Sequence, residues 1–179
     1  MAPHSDDLAA ELFSPIDFMS KGCDRLKLIC ALMVVPKSGR KLNSDDVAKM
    51  LGALRNDFPL QFADEAQDLI PILQLRARPG DELVAVLRDL ATLHAAAGQQ
   101  LGLCAADLET LWKSNVSPAS FQAMGEELSA VAAGLHRHLA LVTAVVLPIA
   151  RLRFTDGDLA ALRQGLAARR GIALPHSQN

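Results

Sequence analysis

The sequence predicts an all-α fold: four long helices in an up-down-up-down bundle, followed by a short additional C-terminal helix. Composition gives the first reason. Half of the 179 residues are hydrophobic, yet only 4% are aromatic and tyrosine is absent. Alanine and leucine dominate, which favours helices over sheets built from β-branched and aromatic residues. Periodicity gives the second reason. Four segments carry apolar residues at steps of three and four, the spacing that puts them on one helix face. The connections give the third: they are short, and short connections set consecutive helices side by side.

The first helix is expected over about 15–35. Ser14 is a candidate cap and Pro15 suits the first turn. Its stripe is Ile16, Met19, Cys23, Leu26, Cys30 and Met33, and Pro36 with the PKSGRK stretch ends it. The second runs from an N-cap at Asn43 or Ser44 to about Leu75. Asp45 and Asp46 suit its first turn, where the helix dipole favours acids, and a kink is expected around Pro59. The turn ARPGDE follows. The third stripe is Leu83, Leu87, Leu90, His94, Ala97, Leu101, Cys104, Leu108 and Leu111. After the SNVSP turn, the fourth is Phe121, Met124, Leu128, Val131, Leu135, His138, Val142, Val145 and Ile149. Thr155 with Asp158 resembles a capping box opening a last helix that stops near Gly171.

A chain of this length forms one domain by default. The expected organisation is a flexible segment at 1–12, the helical bundle at 13–171 and a loose tail at 172–179. The net charge of -2, with scattered Lys and Arg and few aromatics, gives no footprint for nucleic acid. The N-terminus carries acids where a signal peptide carries a basic region. The most apolar run, Leu139 to Ala150, is 12 residues and too short for a membrane span. Three cysteines, Cys23, Cys30 and Cys104, do not make a disulfide framework, so a cytoplasmic location is expected.

The stretch QFADEAQDL breaks the pattern. The stripe Val47, Leu51, Leu54, Phe58 continues onto Gln61 and Glu65, so a glutamine and an acid occupy core positions. Cys23, His94 and His138 interrupt the other three stripes. Taken singly, a core histidine is usually just hydrogen-bonded and a core cysteine is usually a small hydrophobe. Jointly they are harder to read as packing. A buried carboxylate needs a partner or a metal, and bundle cores are where facing helices build such sites.

The stretches PIDFMSKGCDRLKLIC, FPLQFADEAQDLIPIL, LATLHAAAG and LHRHLALVTAVVLPIARLRFTDGDLAALRQGLAARRG resemble the bacterial hemerythrin-like (HHE cation-binding) domains, from about Pro15 to Gly171. The framing residues ADE-x-x-DL-x-P and HLAL-x-x-AVVLP-x-AR carry the likeness. Such domains show a histidine on the first helix, HxxxE on the second, HxxxE or HxxxH on the third, and a histidine followed by a carboxylate on the fourth. By this resemblance Cys23 and Gln61 stand where histidines are expected, and Gly98 and Val142 where further ligands are. Glu65, as a bridging carboxylate, His94 and His138 are kept.

The resemblance therefore implies a degenerate site without an intact di-iron centre. Glu65, His94 and His138 suit one Fe(II), with open positions for a small ligand. Cys23 as a thiolate would move the preference toward zinc, with Gln61 beside it. The expected function is binding or sensing of iron, oxygen or a redox signal. The alternative is a metal-free bundle retained as a regulatory module for an unidentified protein partner. No nucleophile elbow, phosphate loop or acid–base pair marks an enzyme.

Overall fold

The computed structural model describes residues 5–38, 40, 42–80, 82–114 and 118–174. Among them every regular element is helical. We label the helices α1 (Ser5–Glu11), α2 (Pro15–Met33), α3 (44–75), α4 (Leu83–Lys113), α5 (118–153) and α6 (Asp156–Arg169), with a 3-10 turn at Val35–Ser38. Parts of the SNVSP, PKSGRK and ARPGDE connections, the side chain of Phe121, His4, His176 and the last five residues lie outside the described residues. Within the segment expected to be flexible, residues 5–11 are helical and Leu12 is fully buried against the main core.

Side-chain chemistry sets the helix ends. Asn43 caps α3 by accepting from the Asp46 N–H at 2.8 Å. Thr155 and Asp158 form the expected reciprocal box at the start of α6. Ser14 precedes α2 as foreseen, but its hydroxyl makes no capping bond. Pro15 follows it and has no N–H to satisfy, so the helix start loses little.

Pro59, Pro71 and Pro148 lie inside helices that continue through them. A proline cannot bond to the carbonyl four residues back, and its ring crowds that carbonyl. Each time the chain widens into a π-helical turn just before the proline: Ala53–Asp57, Glu65–Leu69 and Val142–Val146. The preceding residue then bonds five back: Phe58 to Ala53, Ile70 to Glu65 and Leu147 to Val142. The single kink expected at Pro59 is thus one of three wide turns.

These turns shift the core register. In α5 the three-four rhythm predicts Val142, Val145 and Ile149 inward. Instead Val142, Val146 and Ala150 are fully buried, and Val145 and Ile149 are half-buried. In α3, Gln61, Glu65, Leu69 and Leu73 follow one another at steps of four. All six positions named for α2 are buried, while Leu51, Ala97, Leu111 and Val131 of the other stripes are half-buried.

Helix α2 packs on α3 and α5, and α4 packs on α3 and α5, around one continuous apolar core. Helix α6 crosses onto α2 and the Glu65–Leu69 turn. Gly125 lets α5 approach the 3-10 turn closely, since a Cβ there would stand 2.7 Å from the Lys37 nitrogen. The apolar run Leu139–Ala150, too short by itself for a span, lies within a longer apolar helix. The described stretch Gln122–Arg153 is in fact long and apolar enough to cross a membrane by length and composition alone. It buries Met124, Leu128, Leu135 and Leu139 and exposes Glu126, Glu127, His136 and Arg137.

Candidate metal centre

Glu65, His94 and His138 reach one point from three helices. Glu65 and His138 are fully buried and His94 keeps a solvent-facing edge. Glu65 Oε2 lies 2.7 Å from His138 Nε2 and 2.8 Å from His94 Nε2, and the two nitrogens are 3.0 Å apart. The other carboxylate oxygen, Oε1, accepts from Gln61 Nε2 at 2.7 Å. Phe62 closes one side, stacked on the His94 ring at 4.6 Å and edge-on to His138 at 4.9 Å.

Local geometry explains the placement. Glu65 opens a π turn, one helical turn beyond Gln61, so both amide and carboxylate face the core. His94 and His138 occupy inward positions of α4 and α5. Burial pushes the Glu65 carboxyl up, but hydrogen bonds from His138 and His94 and their charges outweigh it and hold it down at about 2. Glu65 is therefore an anion in the core.

Cys23 is also fully buried, but it stands behind Gln61, whose Nε2 is 3.6 Å from its sulfur. It is not among the atoms that converge with the two imidazoles. Burial, then the Glu65 charge, push its thiol up to about 12, so it is neutral beside this carboxylate. Gly98 is exposed on α4 with open space around it, and Val142 is core. His138 Nδ1 is buried without a partner among the described residues. Metal-binding histidines commonly donate from that far nitrogen, and no group among the described residues receives it.

The geometry has a proton problem. Each imidazole nitrogen offers one in-plane lobe, either an N–H or a lone pair. If both Nε2 atoms are protonated, both donate to Glu65 and two N–H groups oppose each other at 3.0 Å. If one is not, its lone pair faces the carboxylate. No placement of protons gives all three edges a linear hydrogen bond. A cation between the three atoms satisfies them together, and the donor set of two imidazoles and a carboxylate is a fitting one.

A second buried carboxylate lies beside the site. Asp64, next to Glu65, is fully buried on the opposite side and faces α6. Arg169 Nε donates to it at 2.8 Å, and Arg170 bonds it through both terminal nitrogens. Arg169 also pairs with Asp68, and Arg170 lies over the Phe18 ring at 4.8 Å. Gly165 allows this approach, because a Cβ there would collide with the Asp68 carboxylate. The signal was present: adjacent acids at 64–65 cannot share a helix face, and an Arg–Arg pair ends α6.

Compared with family models, with curated proteins and with solved structures, the chain matches none.

Proposed function

We propose that the chain is a hemerythrin-like four-helix bundle whose remaining site binds a single metal ion through Glu65, His94 and His138, for binding or sensing iron, oxygen or a redox signal. The observation that carries this reading is the triangle of donor atoms with edges of 2.7, 2.8 and 3.0 Å. An octahedral ion with bonds of about 2.1 Å sets neighbouring ligand atoms roughly 3.0 Å apart. A tetrahedral zinc with similar bonds sets them roughly 3.4 Å apart. The edges favour a face of an octahedron, the arrangement in which two histidines and one carboxylate hold Fe(II) with open positions. Such an ion supplies a site for a small exogenous ligand. The small solvent-facing edge of His94 gives that ligand a way in.

The packing of α2 on α3, α3 on α4, α4 on α5 and α5 on α2 supports the bundle topology. A second ion is disfavoured. Cys23 stands behind Gln61 and apart from the converging donors, Gln61 already bonds Glu65, and Gly98 and Val142 offer no donor. The metal-free alternative has its own support, because both Glu65 oxygens have protein partners.

The test is metal content by mass spectrometry of protein purified without a metal-binding tag, with a visible spectrum. About one iron per chain is expected, without oxo-bridged di-iron bands. Metal-free protein that also fails to take up added Fe(II) or Zn(II) would leave the interaction-module reading standing.

A further inference from the structure

A cavity of about 580 Å³ opens between α1, α2, α3 and α6, and Gln61 belongs to its lining while also bonding Glu65. The volume suits a small molecule, for which sites of about 300–1,000 Å³ are usual. Its apolar wall comes from Phe18, Leu26, Ile29 and Leu60. Gly22 gives it depth, since a Cβ there would stand 3.1 Å from Gln61 Oε1.

The charged lining is uneven. Three guanidinium groups, Arg25, Arg169 and Arg170, face one carboxylate, Asp57. Arg169 and Arg170 are engaged with Asp64 and Asp68, which do not line the cavity. Arg25 is exposed, and no hydrogen bond or ion pair ties it to another described residue. Its planar fork matches a carboxylate through two parallel bonds. We propose that this cavity binds an aliphatic carboxylic acid, with its chain on Phe18, Leu26, Ile29 and Leu60 and its carboxylate on Arg25. The site is separate from the metal-binding reading and does not depend on it.

Isothermal titration of the full chain, kept in a chelator so that metal plays no part, tests this with sodium octanoate and n-octylamine as probes. Octanoate should bind once per chain and octylamine should not. Arg25→Ala should weaken octanoate by at least about tenfold, the usual weight of a charge-assisted bond, with Arg25→Lys falling between. Leu60→Glu, at a half-buried wall position, should abolish binding with the helical circular dichroism signal kept. Absence of octanoate binding to the wild type at millimolar concentration would overturn the proposal. So would equal binding of octylamine, or an Arg25→Ala variant that binds as tightly as the wild type.

Discussion

His94 Nε2 lies 3.0 Å from His138 Nε2, and Glu65 Oε2 is closer to each nitrogen than they are to one another. Three helices bring these atoms together, and the sequence separations are 29 and 44 residues. A contact of this kind rests on the whole core being correctly phased. Supports around it are therefore as testable as the site.

Asp64 holds α6 against the turn that begins at Glu65. Removing a buried carboxylate that two arginines share takes from Arg170 the acid it pairs with and leaves Arg169 with Asp68. Asp64→Ala should destabilise the chain by roughly 3 kcal/mol in urea denaturation. Hydrogen exchange should rise first in α6. A variant with wild-type stability and unchanged α6 protection would show that the cluster is incidental.

Thr155 and Asp158 close the start of the same helix. Thr155→Ala should cost about 1 kcal/mol, as lost N-caps do. Hydrogen bonds from Arg76 and from the Thr155 N–H hold Asp158 down at about 2, below its ordinary 3.8. A depressed carboxyl stabilises the fold above 3.8, and that contribution is lost as the pH falls toward 2. An acid titration of stability should therefore have a step in this window that Asp158→Asn removes. Identical acid limbs for both proteins would contradict the assignment.

Burial pushes Cys30 up to about 12 and Cys104 up to about 11, against an ordinary 9.0. A raised thiol leaves the fold at full stability below 9, and stability falls as the pH rises through 9 to 12, because the unfolded chain ionises first. In the native protein at pH 8 both should be inert to a maleimide and both should react in denaturant. Rapid labelling of the folded chain would place these thiols elsewhere than the core.

Two glycines of α5 should respond in opposite directions. A Cβ at Gly125 meets the backbone of Pro36 and Lys37, which cannot swing away, so Gly125→Ala should destabilise by roughly 1–3 kcal/mol. A Cβ at Gly134 meets nothing within 4 Å, so Gly134→Ala should stabilise by roughly 1 kcal/mol through helix propensity. Equal effects in denaturant melts would mean that α5 does not rest on the 3-10 turn.

The parts of this fold legible in the sequence are those written in short-range rhythm. The α2 stripe, the caps at Asn43 and Thr155 and the inward places of Glu65 and His138 all follow from spacing. Val145 and Ile149 were misplaced because a π turn before Pro148 inserts a residue into the rhythm, and an ideal helix of 3.6 residues per turn hides that. The partners of Asp64 are hidden in the sequence because they lie over a hundred residues away, and only tertiary packing joins them. Cys23 was legible as buried but not as separated from the imidazoles, since Gln61 fills the space between.

The most direct test is chemical denaturation of the wild type and Glu65→Gln, each with and without added Fe(II). The amide keeps the shape and removes the charge that the cation would meet. At Fe(II) about a hundredfold above its Kd, the wild type should gain about 2.7 kcal/mol. Glu65→Gln should gain much less, and its metal-free stability should fall below that of the wild type, because the two imidazoles favour the charged carboxylate. Equal stabilisation of both proteins by Fe(II), or none of either, would contradict a metal site built on Glu65, His94 and His138.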